Sequence, residues 1–303
     1  MRSTLIIFTL LAGLLWAVYA LGWLTTPASW RDTTGWKRVP ERQRPPPAPA
    51  DEFELRWLGH AGLLVRWQGV TLLIDPNTAP RCTVSRRVML PPPDLALAGP
   101  VSAVLISHAH YDHLDLDTLM RVPSIGFTAV PEGAEVYFDE AQAAHAHPRT
   151  VRRHEPFRVG ALEIIPVPAA HNGNRFHPLR SRKAAVGYLI RSPTRSLYVA
   201  GDTARHNAFE EIRDRYHPDV AVLPIGSYRP RLPLKYHHLN PEEAADVAVL
   251  MDVEYMVPYH FGTFRLSLDP PASALPRFAA AAVKRGLVWY MPEFAGSPED
   301  LRP

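Results

Sequence analysis

Apolar and polar positions divide this chain into three stretches. Thr4–Leu24 is a continuous run of 21 residues without a charged side chain. Residues 25–50 show no periodicity and gather proline at 40, 45, 46, 47 and 49. From Asp51 the pattern becomes that of a folded body. Phe53–Leu58 alternates apolar and polar residues, which predicts a half-buried strand. Gly59-His60-Ala61-Gly62 reads as a turn, Leu63–Trp67 as a second strand and Val70–Ile74 as a third, ending at Asp75-Pro76. Val101–Ile106 is almost wholly apolar, the mark of a strand covered on both faces. Runs of the same kind follow at Leu162–Val167, Val186–Ile190, Leu197–Ala200, Val220–Ile225 and Met256–Tyr259. Helical patterns fall at Asp115–Arg121, Asn207–Tyr216, Pro241–Met251 and Ala272–Arg285. Asn240-Pro241-Glu242-Glu243 is the clearest helix start, with an Asn cap, proline at the first position and acids in the first turn. Strands early and strand–helix units later predict sheets faced by helices on their outer sides.

The N-terminal run predicts a membrane anchor. At about 1.5 Å per residue it spans roughly 31 Å, one hydrocarbon core, and Trp16, Tyr19, Trp23 and Trp30 suit a membrane interface. Val18-Tyr19-Ala20 also fits a signal-peptide cleavage site, although the apolar run continues past it. Arg2 favours an inside N-terminus, whereas Arg31, Lys37, Arg38, Arg42 and Arg44 pull the other way. The expectation is a single-pass anchor in a bacterial-type inner membrane, its body on either the periplasmic or the cytoplasmic face. The organisation read here is therefore an anchor over 1–24, an extended proline-rich linker over 25–50 and a catalytic body over 51–303.

Composition narrows the function. A single cysteine, Cys82, excludes an intramolecular disulfide and a cysteine-rich zinc site. A net charge of +3 over 303 residues gives no sign of a nucleic-acid partner. Fourteen histidines are the feature that carries chemistry. Directly after the apolar run 101–106 stands Ser107-His108-Ala109-His110-Tyr111-Asp112-His113. In an extended segment His108 and His110 project to the same side and can converge on one metal, while Asp112 and His113 can turn toward a second. Three further donors stand just past the ends of apolar runs: His171, Asp202 and His260. Strand ends are where open α/β sheets place their sites. Five histidines and two aspartates are the inventory for two metals sharing a carboxylate.

This set, His108-x-His110-x-Asp112-His113 followed by His171, Asp202 and His260, resembles the metallo-β-lactamase superfamily from about Phe53 to Pro271. Finer detail is similar to the branch containing N-acylphosphatidylethanolamine phospholipase D and its bacterial relatives. That detail includes Leu58-Gly59-His60-Ala61, Asp75-Pro76, Arg87 with Pro91-Pro92-Pro93, Ala200-Gly201-Asp202-Thr203, the stretch from Pro224 to Arg231, His238–Ala244 and His260–Phe264. The resemblance implies a four-layer αββα sandwich, an α/β (α+β) fold, behind the N-terminal transmembrane helix. It also implies two Zn2+ ions, with Mn2+ or Fe2+ as other candidates. One would take His108, His110 and His171; the other would take Asp112, His113 and His260, with Asp202 bridging. A hydroxide shared between the ions would attack the substrate, which places Asp112, Asp202 and His238 in the catalytic machinery. His238 would contact the leaving group or substrate, and Asp75 would orient a ligand imidazole.

Arg175, Arg180, Arg182 and Lys183, and again Arg229, Arg231 and Lys235, form acid-free stretches beside proposed site residues. They predict an electropositive mouth for a small anionic substrate or a phospholipid. The tryptophans that the branch carries after its third-motif histidine and after its Pro-Arg motif are absent here, where His171-Asn172-Gly173-Asn174 and Arg231-Leu232-Pro233-Leu234 stand. Asn77-Thr78 likewise replaces bulky residues. The expected function is a dinuclear zinc hydrolase of an anionic ester, an N-acylphosphatidylethanolamine-type phosphodiester being one substrate and a lactone or amide the alternative. A di-iron oxidative protein would carry a carboxylate where His110 stands, and a nuclease would carry an added basic domain.

Overall fold

The computed structural model describes residues 53–294, apart from 84, 88–94, 176–184, 228 and 266, together with Gly13. The predicted anchor Thr4–Leu24 and the linker 25–50 thus lie, Gly13 aside, outside the described residues. Among the described residues no helix is long and apolar enough to cross a membrane.

Two sheets dominate. The first has seven strands in the order β15-β1-β2-β3-β6-β7-β8: Glu293–Phe294, Glu54–Gly59, Gly62–Trp67, Val70–Ile74, Ala103–Leu105, Thr128–Pro131 and Pro148–Val151. The second has six in the order β14-β13-β12-β11-β10-β9: Tyr255–Tyr259, Val220–Pro224, Ser196–Val199, Val186–Arg191, Leu162–Pro168 and Phe157–Val159. A two-residue ribbon joins β4 (Arg81–Cys82) to β5 (Ser85–Arg86).

Period-two alternation decides which side chains meet. Leu63, Val65 and Trp67 of β2, with Leu72 and Ile74 of β3, share one apolar core with Ile164, Tyr188, Leu197 and Val222 of the second sheet. Leu64, Leu73 and Val104 point the other way, into a separate core with Leu114, Leu119, Val122 and Ala146. That outer layer contains α1 (Leu116–Leu119) and α2 (Glu140–Ala146). The second sheet is covered by α3 (Ala208–Tyr216), α5 (Pro241–Leu250) and α6 (Ala274–Arg285), whose Phe209, Val247 and Phe278 join the shared core. Between α3 and α5 lies α4 (Arg231–Leu234), a single irregular turn. The result is a mixed α/β fold in which helices flank two sheets.

Helix α5 starts as its sequence predicts. Asn240 accepts from the Glu243 amide, the Glu243 side chain accepts from the Asn240 amide, and Pro241 occupies the first turn. Other boundaries differ. The helix expected over 115–121 shortens to α1, since Pro123 disfavours helical backbone at Val122. Strands β7, β8 and β9 and helix α2 escape the hydrophobic pattern because they are short, and β8, on the sheet edge, has no fully buried residue.

Strand direction positions the site. β1 and β3 are each antiparallel to β2, and β3 is parallel to β6, so β1, β3 and β6 run the same way. In the second sheet β10 and β12 flank β11 antiparallel to it, and β12, β13 and β14 are parallel, so β10, β12 and β14 also agree. Six strands therefore hand over to polar residues at their C-terminal ends: His60, Asp75, Ser107-His108, His171, Asp202 and His260.

Candidate metal centre

Those strand ends converge. His108, His110 and His171 form one group of possible donors, and His60, Asp112, His113 and His260 form another. Asp202 joins both halves: with His108 and His113 in one group, with His171 and His238 in a second. All seven ligands expected from the sequence are brought together, and His238 stands beside them.

The first half is a triad of imidazoles. His110 Nδ1 lies 3.0 Å from His108 Nε2 and 3.1 Å from His171 Nε2. Their other nitrogens are already committed. Ser107 Oγ donates to Asp75 Oδ2 at 2.6 Å and therefore accepts from His108 Nδ1–H at 2.9 Å. His171 Nδ1–H donates to the His237 carbonyl at 2.9 Å, and the His110 ring bonds the Asn174 backbone. With those protons spent outward, three nitrogen lone pairs face one another about 3 Å apart. That arrangement is repulsive unless a cation occupies it. Burial holds all three rings neutral, lowering His108 strongly and His171 to about 3.

The second half is built among carboxylates. His113 Nδ1–H donates to Asp75 Oδ2 at 2.8 Å, and its Nε2 lies 3.2 Å from His260 Nε2. Asp112 Oδ2 is 3.6 Å from each of those nitrogens. Asp202 places Oδ1 2.9 Å from His260 Nε2, and Oδ2 3.4 Å from His113 Nε2 and 3.8 Å from His171 Nε2. His238 Nδ1 is buried without a hydrogen-bond partner among the described residues. Burial alone would lower the pKa of His260, but Asp202 and Asp112 reverse this and push it up to about 9. His113 is raised in the same way, mainly by Asp202, then Asp112 and Asp75. Burial disfavours charge on Asp112 and Asp202 as well, yet the surrounding imidazoles hold both well below the usual carboxylate range. Nitrogen and carboxylate donors at these separations, with no thiolate among them, fit divalent metal ions.

The local chain explains the placement. A turn in which the Leu114 amide donates to the His110 carbonyl at 2.8 Å swings Asp112 and His113 away from the first triad. Asp75, at φ 42°, and His260, at φ 56°, end their strands in left-handed backbone and so turn inward across the edge. Asp75 orients a ligand imidazole as expected, and also accepts from the Ser107 amide at 2.7 Å. His238 has its Nδ1 3.5 Å from Asp202 Oδ2 and its ring 4.9 Å from that of His171, and burial lowers its pKa to about 4.

Two placements differ from the sequence reading. Arg175 does not present a free charge at the mouth: its guanidinium donates to the carbonyls of Ala109 (2.8 Å) and Leu114 (2.6 Å) and stacks on Tyr111 and Tyr137. It straps the loop that carries His110, Asp112 and His113 in place. Arg229 pairs with Asp269 at 3.0 Å and Arg231 pairs with Glu243, so acids distant in sequence neutralise both. Arg180, Arg182 and Lys183 lie outside the described residues. The second difference is His60, whose Nε2 lies 2.9 Å from Asp112 Oδ2. Beyond its place in a turn whose residues resemble the family branch, the sequence reading gave it no role, although it too stands at a strand end.

Comparison with known proteins agrees with this geometry. Residues 71–261 match the family described as a beta-lactamase superfamily domain. A metal-dependent hydrolase of Pyrobaculum arsenaticum is 32% identical over 252 residues, covering 79% of this chain and 96% of its own length. The N-acyl-phosphatidylethanolamine-hydrolyzing phospholipase D 1 of Caenorhabditis elegans is 31% identical over 225 residues, 69% of this chain. This chain spans 63% of the nematode protein's length and 65% of that of the mycobacterial proteins it also matches. Among solved structures, a metallo hydrolase from the archaeon Ignicoccus hospitalis has the same fold, with a TM-score of 0.60, 23% identity, and coverage of 81% of this chain and 96% of its own.

Proposed function

Because this chain belongs to the metallo-β-lactamase superfamily and is a metal-dependent hydrolase of it, we propose that it is a dinuclear zinc hydrolase of anionic esters, its substrate class an N-acylphosphatidylethanolamine-type phosphodiester. The observation that carries this reading is the pair of donor groups joined through Asp202. His108, His110 and His171 would hold one ion, Asp112, His113 and His260 the other, and Asp202 would reach both. Manganese or iron(II) would also suit imidazole and carboxylate donors. When bound, two such ions lower the pKa of water toward neutrality and neutralise charge developing on the substrate oxygen.

The chain's own residues do the rest. Asp202 reaches both halves, Asp112 stands in the second, and Asp75 with Ser107 fixes the His108 and His113 rings. His238 keeps a buried, unspent nitrogen beside Asp202, where it would meet a leaving group. Tyr111, Leu232 and Tyr236 are more than half exposed, on segments that carry or adjoin site residues. Such an apolar rim suits the acyl chains of a phospholipid, and an anchor at Thr4–Leu24 would hold the body beside the inner membrane. The nematode relative's printed activity points the same way. No nucleic-acid partner belongs to this reading.

A second reading, a lactone or amide as substrate, draws support from Arg175, Arg229 and Arg231, each already engaged within the protein. The zinc-loaded full chain, with vesicles containing N-acylphosphatidylethanolamine and mass spectrometry of the products, separates the two. Attack of water on phosphorus with cleavage of the bond to the ethanolamine oxygen yields phosphatidic acid and an N-acylethanolamine. Asp202→Ala should lower that rate by about 10³-fold or more, the scale of removing a member of a cooperative unit. Lipid left intact by protein holding two zinc ions would reject the phosphodiester and favour the lactone or amide.

A further inference from the structure

We propose that His60 is a positioning residue for the second metal ion, its Nε2–H holding the Asp112 carboxylate in the orientation that ligates; this rests on the two-metal reading above. His60 Nε2 lies 2.9 Å from Asp112 Oδ2. That same oxygen is the one 3.6 Å from His113 Nε2 and His260 Nε2. Four of the five expected ligand imidazoles have an orienting partner: Ser107 for His108, Asn174 for His110, the His237 carbonyl for His171 and Asp75 for His113. Asp112 needs one equally, because a carboxylate on a turn can rotate away from a metal, and His60 supplies it.

The imidazole is itself held firmly. The His60 amide donates to Thr263 Oγ1 at 2.7 Å, and its carbonyl accepts from the His260 amide at 2.9 Å and from Trp57 Nε1 at 2.8 Å. Its ring lies 4.0 Å from that of His260 and meets Phe264 edge-on at 5.1 Å. His60 therefore ties the loop after β14, in the second sheet, to Asp112, which belongs to the first. Removing it frees both the carboxylate and the spacing between the loops.

The proton's position follows from the neighbours. Nδ1 is buried and has no hydrogen-bond partner among the described residues, whereas Nε2 faces a carboxylate. A ring proton placed on Nε2 makes that contact a hydrogen bond; placed on Nδ1, it would leave a lone pair facing a carboxylate oxygen. His60 also borders a cavity of about 20 Å³ between Gly226, Phe261 and Phe264, space for one water.

Two measurements on the full chain test this. Long-range 1H–15N correlation of the zinc-loaded protein, with the His60 signals assigned by their loss in His60→Gln, should show the proton on Nε2. A proton on Nδ1 alone would leave Nε2 with none to donate to Asp112 and overturn the proposal. Competitive zinc titration against a chromogenic chelator should show His60→Ala losing about 10–100-fold in affinity at one site only. His60→Gln, whose amide N–H reaches the same oxygen, should recover most of that loss. His60→Ala holding two zinc ions as tightly as the unmodified protein overturns the positioning role alone. An unmodified chain that takes up only one zinc ion overturns the two-metal reading and this proposal with it.

Discussion

The two halves of the candidate metal centre are built from opposite electrostatics. Around His108, His110 and His171 the outward partners are a hydroxyl and backbone groups, and burial keeps the rings neutral. Around His113 and His260 stand Asp202 and Asp112, which raise both imidazoles in the metal-free protein, and Asp75, which adds to the rise at His113. The first half thus offers open lone pairs, whereas the second is closed by protons that a metal has to displace. Their architecture differs too. Each half joins the 108–113 motif of the first sheet to a strand end of the second, but His171 comes in on a loop that Arg175 straps to that motif, whereas His260 comes in on left-handed backbone. Tolerance of change should differ accordingly.

Gly226→Ala is the most severe way to break this symmetry. A Cβ at Gly226 would sit 2.0 Å from the His260 carbonyl oxygen and 3.1 Å from its carbonyl carbon, so the backbone carrying His260 has to move. We expect a loss of about 1–3 kcal/mol in stability from the forced packing. A ligand displaced by about 1 Å should also cost on the order of 10²-fold in turnover. Elemental analysis after dialysis should find one zinc ion retained, in the histidine triad. Two zinc ions retained would mean that the second half is not the more fragile one.

Asp75→Asn probes an orienting carboxylate that serves both halves. Asp75 accepts directly from His113 and reaches His108 only through Ser107. The expected loss is about 10–100-fold in zinc affinity at the second half, with a smaller loss at the first. Chelator competition resolves the two steps, and equal losses would show that Ser107 transmits the change as fully as direct contact does.

Much of this centre was legible in the sequence because its signal is local. Each expected ligand or ligand motif follows an apolar strand, and His108-x-His110-x-Asp112-His113 needs no partner to be noticed. The layers were legible for the same reason, since period-two runs fix which faces are buried. What escaped depends on pairing between distant residues. His60 stands alone in a glycine-flanked turn, and its meaning comes from Asp112 and Thr263, 52 and 203 positions away. Arg175, Arg229 and Arg231 read as free positive charge because a sequence shows charges but not what neutralises them. Strands β7 to β9 lack a long apolar run and owe their place to neighbours already in the sheet.

The pH dependence of the metal-free protein tests the contrast most directly. His113 and His260 are raised on folding, His260 to about 9, so their contribution is complete below the unfolded histidine pKa and declines as pH rises through about 9. His60, His108 and His171 are lowered by burial, and their sign is reversed. The unfolded chain takes up protons near pH 6.5 that the folded chain refuses, so stability falls as pH drops below that value toward about 3. Asp112 and Asp202, held low, add stability that disappears only in stronger acid, as pH falls through their folded values. Stability without metal should therefore peak near pH 6.5 and decline on both sides, by about 1 kcal/mol per pH unit for each proton exchanged. Urea midpoints between pH 5 and 9, with and without a chelator, measure this. Zinc should remove the alkaline decline, because a bound metal replaces the protons on His113 and His260. A metal-free midpoint that stays level or climbs from pH 7 to 9 would mean those two imidazoles are already open, and that the halves differ in geometry alone.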